Sequence, residues 1–130
     1  MRLRIILFWV FVAATSLILG LARGSLVEAK NTAPSSRVFV AKCQSCHSVD
    51  PARGSAAGPN LTGIVGRRAG TLPRFAFSSA MTNSNIVWSE ATLDAFLAAP
   101  QKNVRGNRMA FVGLSKPQER AEVIAFLATK

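Results

Sequence analysis

The chain has 130 residues, 49% of them hydrophobic, with 16 Lys+Arg against six Asp+Glu and a formal charge of +10. Three arginines and one glutamate (Arg2, Arg4, Arg23, Glu28) lie in residues 1–29, which leaves 13 basic against five acidic side chains in the body of the protein. Such a field favours acidic proteins, membrane surfaces or nucleic acid, but no basic recognition helix or interleaved stacking aromatics support nucleic acid, which is set aside.

Arg2 and Arg4 form a short positive start, followed over 5–22 by 18 residues without a charge. This is an export segment with its N-terminus kept cytoplasmic. Its length exceeds that of most cleaved leaders and nearly spans a bilayer, yet Val27-Glu28-Ala29 and Gly20-Leu21-Ala22 both offer small residues suited to cleavage. Residues 1–29 are therefore a signal peptide or an uncleaved membrane anchor with its linker. Residues 30–130 are one small domain of roughly 95–105 residues. Either reading places that domain outside the cytoplasm, in a bacterial periplasm.

The span 24–34 is polar and small-residue-rich, a linker or frayed terminus. Ser35 or Ser36 reads as a helix cap, and 37–42 as a helix with Phe39 on its apolar side. It runs into Cys43-Gln44-Ser45-Cys46-His47, the attachment pattern of a c-type haem. Two thiols three apart add across the two porphyrin vinyl groups, and the following histidine supplies an imidazole to the iron. On one helical turn, i, i+3 and i+4 share a face. A redox disulfide usually follows a strand in a βαβ unit, and no such pattern occurs. Zinc needs four N or S ligands, whereas these are the only two cysteines and the only histidine. Covalent haem c is the reading that uses all three residues.

Residues 48–74 contain five glycines and three prolines and read as loop. In Gly58-Pro59-Asn60-Leu61, a carbonyl near Pro59 can accept the Nδ1 hydrogen of His47 and strengthen it as an iron donor; a plain turn is the alternative. One or two helical turns are expected within 75–83. Ser89 caps a helix over 90–99 that Pro100 ends, with Leu93, Phe96 and Leu97 on one face. Residues 101–109 read as a basic loop carrying Lys102, Arg105 and Arg108. A last helix opens at Ser115, with Pro117 in its first turn and Gln118 at the capping-box position. Val123, Ile124, Phe126 and Leu127 form its buried face. No strands are expected, so the fold class is all-α.

With one histidine, a second axial ligand must come from Met81, Met109 or a lysine. Met109 sits in an irregular segment where a side chain can be aimed at one point, while Met81 reads more easily as core filler.

From Val38 to Lys130, the series CQSCHSVD, GPNLTGIVGRRAG, FAFSSAM, IVWSEATLDAFLAAP, GNRMAFVGL and KPQERAEVIAFL resembles the small class I cytochromes c of the mitochondrial and alpha-proteobacterial type. The resemblance implies an all-α cytochrome c fold with N- and C-terminal helices crossing near Phe39 and Phe126. It also implies Met109 as sixth ligand opposite His47, with the Pro59 carbonyl behind the histidine. Trp88 and Arg67 would stand beside a haem propionate, and Phe111 beside the exposed haem edge. Lys42, Lys102 and Arg108 would belong to a basic rim that docks acidic redox partners, a quinol–cytochrome c reductase and a terminal oxidase or photosynthetic reaction centre. The protein would then be a monomeric one-electron carrier and no enzyme. A membrane-tethered electron-transfer module is the nearest alternative, and a peroxidase-like or gas-binding haem protein a remote one.

The chain also departs from that pattern. It has no tyrosine: Phe77 and Phe96 stand where the family usually has tyrosines. A sulfur without a hydroxyl donor predicts a modestly lowered potential. Arg105 and Asn107 replace the usual proline and threonine of the methionine loop. The hypothesis drawn from this is a loop that opens readily, with Lys102 displacing Met109 at a lower alkaline midpoint. Persistence of the methionine-to-iron charge-transfer band to very high pH would sink it.

Overall fold

The computed structural model describes residues 36–130, so the expected leader or anchor over 1–29 and the linker over 24–34 lie outside it. Ser36 is the cap of α1 (Arg37–Lys42): its extended backbone lets Oγ accept the Phe39 N–H at 2.9 Å. Beyond Cys43 the coil tightens without stopping. Cys46 N–H bonds the Cys43 carbonyl at 3.0 Å and His47 N–H bonds the same oxygen at 2.9 Å, which keeps the motif on one helical turn.

Within the 75–83 segment a single turn forms, α2 (Ser79–Thr82), capped by Ser78. α3 (Glu90–Ala98) has the full capping box: Ser89 Oγ accepts Thr92 N–H and Thr92 Oγ1 accepts Ser89 N–H. Pro100 does more than end it. Ala99 breaks the helix with φ −156, and Pro100 then takes the first position of a new short helix, α4 (Pro100–Asn103). Proline cannot continue a helix but is preset to begin one. The expected loop over 101–109 therefore starts as helix, and Lys102 sits on α4.

The last helix, α5 (Pro117–Leu127), starts after Lys116 with no side-chain cap bond. Ser115 and Gln118 do not form the expected capping box, because Pro117 takes the first helical position and the cap falls on Lys116, one residue beyond Ser115. Its buried residues Val123, Ile124, Phe126 and Leu127 are those the spacing predicts. α5 packs on α3 and on α1. The α1–α5 crossing is centred on Phe39 and Phe126, with ring centroids 4.9 Å apart. Its polar edge is Glu122, whose Oε1 accepts Ser36 Oγ–H at 3.0 Å and Val38 N–H at 3.2 Å.

α3 and α5 are joined by Arg120, which pairs with Asp94 at 2.7 Å and donates to the Leu114 carbonyl at 2.9 Å. The chain enters this region through Gly113 at φ +111, where a Cβ would lie 2.3 Å from the Ala98 carbonyl oxygen; only glycine fits. Among the described residues all regular elements are helices. One isolated antiparallel bridge joins Arg68 to Val87.

Candidate functional site

The Cys43–His47 turn, the loop after it, α2, α3 and the segment after α4 enclose one cavity of about 810 Å³, within the usual range for a cofactor pocket. Cys43, Cys46, His47, Pro59, Arg67, Trp88 and Met109 all line it. Sequence positions spread over more than half of the chain thus converge on one space.

Hydrogen bonds fix the His47 wall to the main chain. Gly58 N–H bonds the Cys46 carbonyl at 2.9 Å and Leu61 N–H bonds the Ser48 carbonyl at 2.8 Å, folding the glycine–proline turn back onto the motif. This places the Pro59 carbonyl 2.8 Å from His47 Nδ1. With Nδ1 donating there, Nε2 is the ring nitrogen left for a metal. Gly58 packs so tightly that a Cβ would meet His47 Cε1 at 2.4 Å. Burial pushes the imidazole below its ordinary pKa, partly offset by the Pro59 bond, so the neutral, metal-binding form is favoured. Both cysteines are free thiols, Cys46 exposed and Cys43 half-buried. Burial, then the neighbouring Cys46, raises the Cys43 pKa.

Asn60 holds this wall from behind. It is buried, donates Nδ2 to the Asp50 and Arg53 carbonyls at 2.8 and 2.7 Å, and accepts Thr62 N–H at 2.8 Å. Arg67 donates to the Asn60 and Thr62 carbonyls at 3.0 and 3.1 Å. Its burial lowers its pKa, yet a guanidinium remains cationic at neutral pH. Arg67 and Trp88 are neighbours because Trp88 N–H bonds the Arg67 carbonyl at 2.9 Å. Trp88 is 7% exposed and its ring meets Phe96 edge-on, with centroids 5.1 Å apart.

Met109, also on the cavity's lining, is half-buried in the segment between α4 and α5. Its backbone N–H bonds Asn107 Oδ1 at 2.9 Å. Met81, read as core filler, does pack on the core, but it also lines the cavity from α2. Of the expected basic rim, Lys42, Lys102 and Arg108 are exposed and Phe111 is half-buried. Arg108 also donates to the Ala76 carbonyl, tying the Met109 segment to the chain before α2. Sequence reasoning missed Asn60 and Asn107 as structural residues. Their signal was faint: asparagine in a turn is ordinary, and neither burial nor carbonyl partners show in a sequence.

The cavity fits a haem attached through two thioethers. Two free thiols and one histidine share a turn at its wall, glycine leaves space only for the imidazole, and its surface is largely apolar. Cys43 and Cys46 would hold the macrocycle, and His47 would take the iron.

Known proteins are similar to this chain. The family model described as Cytochrome c matches residues 33–130. Cytochrome c2 of Rhodomicrobium vannielii is 49% identical over 89 residues, covering 68% of this chain and 71% of that protein. Cytochrome c of Sesamum indicum is 46% identical over 91 residues, covering 70% of this chain and 82% of the relative. Among solved structures, cytochrome cH from Methylobacterium extorquens superposes with a TM-score of 0.67 at 38% identity, covering 72% of this chain and 92% of that one.

Proposed function

The chain belongs to the cytochrome c family, and from that premise we propose that it shuttles single electrons between membrane complexes through an iron ligated by His47 and Met109. The family binds one covalent haem c through its cysteine pair, here Cys43 and Cys46, and its members are electron carriers, not enzymes. When bound, the haem supplies the Fe(II)/Fe(III) couple. The protein's own residues fix its environment. His47 is kept neutral by burial and oriented by Pro59. Met109 offers a soft thioether that favours ferrous iron, and Trp88, Phe96 and Leu93 exclude water. Arg67 sets a cation beside the cavity, where it would offset propionate charge together with Trp88.

The observation that carries this reading is convergence: His47 and Met109 line the same cavity from separate loops, with only one ring nitrogen of His47 left free. The exposed charges of Lys42, Lys102 and Arg108 support transient docking on acidic faces, with Phe111 as the expected point of contact. The partners proposed are a quinol–cytochrome c reductase and a terminal oxidase or photosynthetic reaction centre, met on the periplasmic side. Stopped-flow reduction by such a reductase tests this. The second-order rate should fall steeply with ionic strength and fall further in Lys102→Glu. A rate indifferent to salt would contradict the docking scheme.

The uncharged run over 5–22 favours a second reading for the same chemistry, a carrier tethered to the membrane. No helix among the described residues is long and apolar enough to cross one, and 5–22 lies outside them. Cell fractionation with N-terminal sequencing separates the two: a mature chain starting at Lys30 in the soluble fraction excludes the tether.

A further inference from the structure

Asn107 is one of three buried polar residues among those described, 6% exposed. Its carboxamide uses its full hydrogen-bonding capacity. Nδ2 donates to the Pro100 carbonyl at 2.9 Å and the Val104 carbonyl at 2.8 Å. Oδ1 accepts the Met109 backbone N–H at 2.9 Å and Gln101 Nε2 at 3.2 Å. The exposed Gln101, on α4, reaches across to the same strip of chain: its Nε2 also lies 3.1 Å from the Asn107 carbonyl and 3.2 Å from the Met109 carbonyl.

We propose that Gln101 and Asn107 form an amide clamp that positions Met109 and sets how often its loop opens to an outside ligand. This rests on Met109 being the second iron ligand. The physical case starts from α4, which spans only Pro100–Asn103. The Pro100 and Val104 carbonyls at its two ends each accept one backbone N–H, and the Asn107 side chain adds a second donor to each. The turn between them passes through Gly106 at φ +88, so the backbone doubles back and brings Met109 N–H onto the same carboxamide. Moving Met109 away from the cavity strips that amide of its partner and unseats a buried group bonded on all sides. Buried polar groups left unpaired are costly, so the loop has a closed arrangement and an open one with little between. The reading of Arg105 as a loosening residue considers the backbone alone. Arg105 is exposed, while four side-chain hydrogen bonds at Asn107 oppose opening. Gln101 and Asn107 are positioning residues: Asn107 also borders the cavity, but both act through Met109.

The test uses ferric holo-protein and imidazole as the entering ligand. Apparent affinity scales with the fraction of open loop. Asn107→Ala should therefore bind imidazole roughly 10- to 100-fold more tightly, the size expected for losing two or three net hydrogen bonds. Gln101→Ala should give a rise of roughly 3- to 10-fold, and Asn107→Thr should fall between wild type and Asn107→Ala. Amide hydrogen exchange supplies a readout independent of added ligand: Met109 N–H should lose protection in Asn107→Ala and Gln101→Ala. Phe39→Ala, which removes a ring packed on Phe126 at the α1–α5 crossing and bonded to neither amide, controls for general destabilisation.

Unchanged imidazole affinity in Asn107→Ala, or an equal rise in Phe39→Ala, overturns the clamp. Should Asn107→Ala fail to accumulate, the surface variant Gln101→Ala decides: unchanged affinity with unchanged Met109 exchange overturns it. A wild-type ferric protein without the methionine-to-iron charge-transfer band sinks the Met109 reading itself. With that band present, a null result in the variants sinks only the clamp.

Discussion

The two walls of the cavity are held by different means. On the His47 side the groups that touch the ring are main-chain: the Pro59 carbonyl meets Nδ1, and Gly58 closes on the ring with no room for a methyl group, while the Asn60 carboxamide braces the loop behind them. On the Met109 side, side-chain amides of Gln101 and Asn107 hold a segment that has turned away from α4. A backbone contact cannot let go without unfolding the loop that carries it, whereas a carboxamide can rotate. The histidine wall is thus built to stay and the methionine wall to be held shut. Ligand exchange, where it occurs, belongs to the Met109 face.

The sharpest way to break this contrast is Gly58→Ala. The added Cβ would lie 2.4 Å from His47 Cε1, too close for either to remain in place. Low-spin holo-protein should be largely lost, as read by optical spectra of the purified variant; a normal low-spin spectrum would show that the His47 wall has slack. Phe39→Ala removes a ring that borders the cavity from α1, apart from both ligand loops. It should cost about 3–5 kcal/mol of stability by guanidinium unfolding, since the ring is 2% exposed and stacked on Phe126. The methionine charge-transfer band of the native protein should be unchanged.

Phe96→Tyr probes the methionine wall from α3. Phe96 lines the cavity against Trp88, and a hydroxyl able to donate to the Met109 sulfur should raise the midpoint potential by on the order of tens of millivolts. An unchanged or lower potential in voltammetry would count against the view that the missing tyrosine lowers it.

The smallest effect concerns α1. Glu122 is held below the ordinary carboxylate pKa chiefly by the Val38 N–H, then by Ser36 Oγ–H. Its folded pKa is therefore depressed, so its stabilising share is present above the unfolded value and lost as pH falls through the folded one. Glu122→Gln should flatten the acid limb of the stability curve below about pH 4.5, with little change at neutral pH. An acid limb identical to wild type would show that this contact contributes nothing.

Much of this was legible in the sequence because it is local. The α1 and α5 faces follow from spacing, the Ser36 and Ser89 caps from residue type, and the Cys43–His47 turn from chemistry that uses adjacent residues. What escaped was a matter of context. Pro100 reads as a terminator, but whether it also starts a helix depends on the φ that Ala99 adopts. Ser115 looks like a cap until Pro117 sets the helix start beyond it. Asn60 and Asn107 work through carbonyls that carry no sequence signal, and Glu122 reaches Ser36 across 86 positions. Met81 turning toward the cavity could not be separated from core packing, since both need an apolar, flexible side chain.

Met81 also supplies the control for the decisive measurement. The methionine-to-iron charge-transfer band of ferric holo-protein can be recorded for wild type, Met81→Ala and Met109→Ala. A closed His47/Met109 site requires the band in wild type and Met81→Ala and its loss in Met109→Ala. A band that survives in Met109→Ala and vanishes in Met81→Ala would place the second ligand on α2 and overturn the assignment of the two walls.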